Sequence, residues 1–204
     1  MMAADFESRT MTKPDFAHAA SIDTAIIPVI DVTPVLDGTD IPRVAAEIHA
    51  AATNVGFFYI KGHGISPALM DQAFEVARAF FAEPQQVKDT VAVSTDQRGW
   101  MATGMSTLQG AKTHDLKEVF FWGAEVAADD PELLAGKPLV AQNKWPDAAF
   151  PRLRTDLTPY YDAVCGVAKS VLSAVAVSLD MQSDFFESRY KKPLARGQLV
   201  YYPP

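Results

Sequence analysis

Apolar positions recur at helical spacing in several stretches of this chain and cluster at strand length in others. Val44, Ile48, Ala51 and Ala52 share one face of a helix that Thr39 or Asp40 caps and Gly56 ends, glycine tolerating the left-handed conformation there. Ser66-Pro67 is suited to cap and open a second helix, along which Leu69, Met70, Ala73, Phe74, Ala77, Phe80 and Phe81 repeat the spacing. Pro84 stops it or starts a short following turn of helix through Val87. A third helix, starting between Phe150 and Thr158, carries Leu157, Tyr161, Val164, Ala168, Val171, Leu172, Val175 and Leu179 on its inner stripe, with Pro159 in the first turns or at a kink. The stripe at Val171, Leu172 and Val175 is expected to lie against a sheet.

Strands are expected at Ile26 to Asp31, where Pro28 marks an edge or start, and at Phe57 to Ile60. Residues 98–123 read as strands with glycine-rich connections, Leu116, Val119, Phe120, Phe121 and Trp122 fitting a largely buried segment. Residues 124–148 look like a long surface connection, Ser183 is placed to cap a short helix through Phe185 and Phe186, and Leu199 to Tyr202 reads as a strand that has only begun. Residues 1–25 show no sustained period and read as a loose N-terminal extension, Met1 or Met11 being the start, with one domain over 26–204. No internal repeat or low-complexity segment is visible. The pattern predicts a mixed α/β (α+β) fold.

Composition narrows the class. Of 204 residues, 49% are hydrophobic, enough for one domain with a real core. A formal charge of −7 and the lack of any basic run argue against a nucleic-acid partner, since backbone binding needs a basic face. The single cysteine, Cys165, has no internal disulfide partner and sits in an apolar helical pattern, which favours a reducing compartment and a small buried hydrophobe. Residues 163–179, the most apolar segment, are interrupted by Lys169 and serines and read as a buried helix, not a membrane span. Asp5 and Glu7 precede any basic residue and no apolar run precedes Ile26, so no secretory signal is expected and the chain is placed in the cytoplasm.

Candidate chemistry is sparse. Gly62-His63-Gly64-Ile65 reads as a tight turn in which the His63 ring bonds backbone. A facial iron triad needs two histidines and a carboxylate, but the four histidines, His18, His49, His63 and His114, are followed two positions later by Ala20, Ala51, Ile65 and Leu116. His114 beside Asp115 has the wrong spacing, adjacent strand residues pointing to opposite faces. No metal-ligating or catalytic residue is assigned. Arg98-Gly99-Trp100 holds an arginine that is either a surface group flanking a strand or a partner for a substrate carboxylate through two parallel hydrogen bonds. Asp115-Leu116-Lys117-Glu118 reads as a solvated strand face or a local ion-pair cluster. Lys191 and Lys192 read as solvated charges.

The order of these elements resembles the N-terminal half of the isopenicillin N synthase-like oxygenases, which use non-haem Fe(II) and mostly 2-oxoglutarate. The matching elements are Gly56 to Ser66, Arg98-Gly99-Trp100 with Gly104, Asp115 to Phe120, Trp145-Pro146, Tyr160-Tyr161, Asp184-Phe185-Phe186 and Leu199 to Pro204. The resemblance implies helices packed on the start of a double-stranded β-helix (jelly roll), with later core strands and iron ligands lying past Pro204. It implies that Tyr202 contacts 2-oxoglutarate, that Arg98 contacts substrate, and that Phe120 or its neighbours line the substrate cavity. Trp100 and Val200 depart from the family pattern, where tyrosine and asparagine are usual. The function implied is the N-terminal part of a small-molecule oxygenase lacking the iron-binding half, with Fe(II) and 2-oxoglutarate bound by the complete enzyme. The alternative is a non-catalytic truncated product or interaction domain. Unpaired strand edges, with Phe120, Trp122 and Val200 uncovered, are expected to favour self-association.

Overall fold

The computed structural model describes residues 27–105 and 115–203. The chain begins with β1 (Val29–Asp31), α1 (Thr33–Leu36), α2 (Ile41–Asn54) and β2 (Tyr59–Lys61). The two strands pair in parallel, Val29 opposite Tyr59 and Asp31 opposite Lys61, with the helices as the crossover that parallel pairing requires. The Asp40 carboxylate accepts from the Arg43 N–H and caps α2, while Gly56, at φ 92°, turns the chain after it. The second strand begins later than its apolar run suggests. Tyr59 N–H donates to the Pro28 carbonyl, and Pro28, lacking an N–H, cannot carry the ladder further back, so Phe57 stays exposed.

Next come α3 (Pro67–Ala82), α4 (Gln85–Asp89), β3 (Gly99–Met101), β4 (Glu118–Gly123), α5 (Pro131–Leu134), α6 (Arg152–Ser178) and β5 (Arg196–Tyr201). Ser66 Oγ accepts from Leu69 N–H and caps α3 as its sequence predicts. The sheet β3-β4-β5 is antiparallel, Trp100 facing Phe120 and Phe120 facing Leu199. The apolar core forms two clusters. One joins Val76, Phe80, Trp100, Phe120, Trp122, Leu153 and Leu157, so it lies between the sheet, α3 and the start of α6. The other joins Ile30, Val32, Val44, Ile48 and Ala174, between β1, α2 and the end of α6.

At 1.5 Å per residue, the 27 residues of α6 span about 40 Å, longer than either cluster. This corrects the expected stripe. Leu153 and Leu157 face the three-stranded sheet, whereas Val171 and Val175 pack on α2 and β1. Because the neighbour changes along the helix, the buried face changes with it, leaving Val164 (40% exposed), Ala168 and Leu179 open to solvent. The helix is long and apolar enough to cross a membrane by length and composition, and its inner positions pack on α1, α2 and α3. Other expectations also change. Leu116 precedes β4 and is 72% exposed, and residues 183–189 form turns held by i→i+3 bonds such as Phe185 N–H to Gln182 O, not a helix. Phe120 and Trp122 are buried within the chain, while Val200 is exposed.

Candidate functional site: the open face of the sheet

Alternation along paired strands gives β3-β4-β5 two unlike sides. Trp100, Glu118, Phe120, Trp122, Leu199 and Tyr201 lie in register on the side toward α3 and α6. Tyr201 stacks on Phe81 with ring centroids 5.2 Å apart, and Phe120 meets Phe80 edge-on at 5.1 Å. Met101, Phe121, Gln198 and Val200 share the other side, where β5 alternates between exposed and half-buried positions. Phe120 is therefore core, and its neighbour Phe121 is the aromatic residue presented to the open face. Val119, on the same side as Val200, is fully buried.

A buried ion pair fastens this sheet to the helices. Lys88 Nζ lies 2.9 Å from Glu118 Oε2 and 3.2 Å from the Phe81 carbonyl, and sits over the Trp100 ring at 5.2 Å from its centroid. Trp100 Nε1–H donates to the same Glu118 oxygen at 2.8 Å. Tryptophan in this place thus serves the ion pair rather than the open face. Lys117 pairs with Asp115 at 2.7 Å, and that hydrogen bond holds the ammonium above its usual pKa. The local ion-pair reading of the Asp115 to Glu118 run holds for Asp115 and Lys117, whereas Glu118 turns to the distant Lys88.

Arg98 is 5% exposed. Its guanidinium donates to the carbonyls of Gln97 (3.2 Å) and Leu139 (3.1 Å), with Asp96 O at 3.5 Å, and its buried Nε has no partner. Burial pushes its pKa down, and the nearby charge of Arg196 acts in the same direction. Tyr202 lies past the other end of β5 and is 68% exposed. Arg98 neighbours the start of that strand and Tyr202 follows its end, so the fold does not bring these two predicted residues together. His63 Nδ1 accepts from Ile65 N–H at 3.2 Å between two positive-φ glycines, the backbone role its turn suggested. His49 Nδ1 is 3.1 Å from the Ser178 carbonyl, joining α2 to the end of α6. Among the described residues no three His, Cys, Asp or Glu side chains are placed to hold a metal, while His18 and His114 lie outside them. Tyr161 OH donates to the Ala195 carbonyl at 2.9 Å, and its pKa is pushed up to about 12, first by burial and then by Cys165.

Sequence reasoning passed over Arg196 and Gln198, and named Phe121 only within a buried segment and as a neighbour of Phe120. The period-2 alternation of Gln198, Val200 and Tyr202 was the available signal, but which side stays open depends on what α3 and α6 cover.

The family profile for the non-haem dioxygenase in morphine synthesis N-terminal region matches residues 27–148. The chain belongs to the 2-oxoglutarate/Fe(II) oxygenase family. Among oxygenases of this family it is 32% identical over 185 residues to the 2-oxoglutarate-dependent dioxygenase citB of Monascus ruber, covering 87% of this chain and 56% of the relative. It is 32% identical to a probable iron/ascorbate oxidoreductase of Dictyostelium discoideum, over 78% of this chain and 46% of that protein. A 2OG-Fe(II) oxygenase family protein from Caulobacter crescentus superposes with a TM-score of 0.75 at 29% identity, covering 88% of this chain and 57% of that one. A full-length Neurospora crassa protein, solved in complex with alpha-KG, gives 0.71 at 25% identity over 87% of this chain and 54% of that one. The chain spans about half the length of the curated relatives it matches. Its mixture of helix and strand is that of 2OG-Fe(II) oxygenases, whose core is a double-stranded β-helix.

Proposed function

We propose that residues 26–204 are the N-terminal part of an Fe(II)- and 2-oxoglutarate-dependent oxygenase that oxidises a small molecule in the cytoplasm. Residues past Pro204 would complete the β-helix and supply the iron ligands. The observation that carries this reading is the asymmetry of β3-β4-β5, sealed by α3 and α6 on one side and presenting Phe121, Gln198 and Val200 on the other. A sheet packed on one side that still presents Phe121 and Val200 on the other has a face on which a second layer can pack, as in a β-helix. Support for the cofactors comes from the relatives named as 2-oxoglutarate-dependent and from the Neurospora crassa protein bound to alpha-KG.

Iron does not fit the described residues. His49 and His63 each lie against backbone, and no carboxylate joins them in a three-ligand group. No reaction step is therefore assigned to them. The described residues act as frame and wall: the Lys88–Glu118 pair holds the sheet on α3 and α4, Phe121 and Val200 supply apolar wall, and the resemblance of the strand ending in Tyr202-Pro203 to that of the family supports Tyr202 as a hydrogen-bond donor to the co-substrate.

Sequencing the gene beyond the Pro204 codon tests this directly. An in-frame His-x-Asp or His-x-Glu motif followed by a further histidine is expected. The chain extended through it should release succinate from 2-oxoglutarate with Fe(II) and ascorbate, and residues 1–204 alone should not. A stop codon directly after Pro204 would favour the second reading, a non-catalytic interaction domain. Turnover by residues 1–204 would refute the division of labour.

A further inference from the structure

At the start of β5 the structure holds two arginines, Arg98 and Arg196, that form no ion pair with a carboxylate among the described residues. A recess of about 460 Å³ is lined by Gln97, Arg98, Leu139, Leu194, Arg196 and Gln198, with no acidic side chain among them. Arg196 is exposed, its guanidinium lies over the Phe121 ring at 5.2 Å, and it donates to Gln97 Oε1. Among the described residues neither Arg196 nor Arg98 has a carboxylate within ion-pair distance. The nearest acidic residue in sequence, Asp96, hydrogen-bonds the Ser94 hydroxyl and acts on Arg98 only through its field, which is outweighed there by burial and by the charge of Arg196.

The recess is also built on strained backbone. Gln97 and Leu139, whose carbonyls grip Arg98, sit at φ 56° and 65°, a region that residues with long side chains rarely occupy. Such strain persists only where its surroundings enforce it, and here it fixes a buried guanidinium beside an exposed one. Arg98 uses its terminal nitrogens on carbonyls, so it contributes field and shape, whereas Arg196 keeps donors facing solvent. Two cations held close repel each other, and an oxyanion between them would relieve that repulsion and gain charge-assisted hydrogen bonds. The amide of Gln198, on the same open face, adds a donor.

We infer that this recess is an oxyanion subsite, in which Arg196, backed by Arg98 and flanked by Gln97 and Gln198, takes a carboxylate or phosphate group of the small molecule. The inference rests on the oxygenase reading for calling that molecule a substrate, but the site itself needs neither iron nor turnover. Arg196 and Tyr202 are six steps apart along one strand, roughly 20 Å at the usual rise, so one small co-substrate does not reach both. The subsite therefore selects for an anionic group on the primary substrate, distal to the co-substrate contact.

Isothermal titration calorimetry on the metal-free 204-residue chain, at constant ionic strength set with NaCl, tests this with inorganic phosphate, glutarate and the neutral glutaramide. Saturable binding of phosphate or glutarate is expected, the tighter of the two naming the class, with none of glutaramide. Arg196→Gln should weaken it about tenfold or more, and Gln198→Glu, which places a carboxylate in the recess, should do the same. Because residue 196 is exposed, R196Q should melt like the parent without anion, and if it does not fold, Q198E decides. Unchanged affinity in the folded variants, no saturable binding of either anion, or equal binding of glutaramide would overturn the subsite. Succinate release by the extended chain judges the oxygenase reading separately, since the titration is indifferent to it.

Discussion

Replacing Lys88 by methionine should be among the most damaging single changes on the helix side of the sheet. Lys88 is 6% exposed, and its ammonium binds Glu118 Oε2 at 2.9 Å and the Phe81 carbonyl at 3.2 Å. Methionine matches the length of the stem but leaves the Glu118 carboxylate nearly dry with only the Trp100 N–H as donor. Removing one partner of a buried pair costs about 3–5 kcal/mol, because the other charge stays uncompensated. With a urea slope of about 2 kcal/mol/M, the midpoint should fall by roughly 1.5–2.5 M. The double variant Lys88→Met/Glu118→Gln removes both charges and should recover most of that loss, giving a coupling of about 2 kcal/mol or more in a double-mutant cycle. Urea unfolding of the four proteins, followed by tryptophan fluorescence, measures it. A loss below about 1 kcal/mol for K88M, or additive single effects, would refute the claim that this pair is desolvated and fastens the sheet.

Gly62 and Gly38 both have positive φ, but only at Gly62 would a Cβ collide, with Thr33 Oγ1 and Asp31 Oδ1. Gly38→Ala should cost about 1 kcal/mol from the backbone alone, and Gly62→Ala about 1–3 kcal/mol more, read by thermal unfolding. Tyr161 titrates near 12 in the fold against about 10 unfolded, so the native state keeps a proton there that the unfolded chain loses. That contribution to stability is whole below about pH 10 and lost as pH rises toward 12, and the Tyr161→Phe variant should lose less stability over that window than the parent. Phe120→Ala, removing a fully buried ring, should cost about 3–5 kcal/mol, whereas Phe121→Ala on the open face should cost much less in the same assay. The 204-residue chain should self-associate by light scattering, because β5 pairs only with β4 among the described residues and exposes Val200 beside its free edge; Val200→Lys should reduce this, and a monodisperse parent would refute it.

Local chemistry was enough to write down much of this fold. The caps at Asp40 and Ser66 and the turn glycines at 56, 62 and 64 depend on residues within a few positions of one another and form as the sequence says, and the apolar faces of α2 and α3 follow apart from Ala52 and Phe74, which are exposed, and Val76, which is buried outside the expected stripe. The backbone role of His63 and the Asp115–Lys117 pair were legible for the same reason. What the sequence could not decide was which neighbour each face meets. One helical period runs through all of α6, but two different partners cover it, so Val164 and Leu179 are exposed while Leu153 is buried. Likewise Phe120 and Phe121 are adjacent aromatic residues of equal hydrophobicity, and only the helices behind the sheet make the first core and leave the second on the opposite side. Arg98 and Arg196 stand far apart along the chain, and their shared recess exists only because β4 pairs with both β3 and β5. Capping and turn formation are short-range and carried by residue type; burial and charge proximity are set by the packing of distant segments, which no local pattern contains.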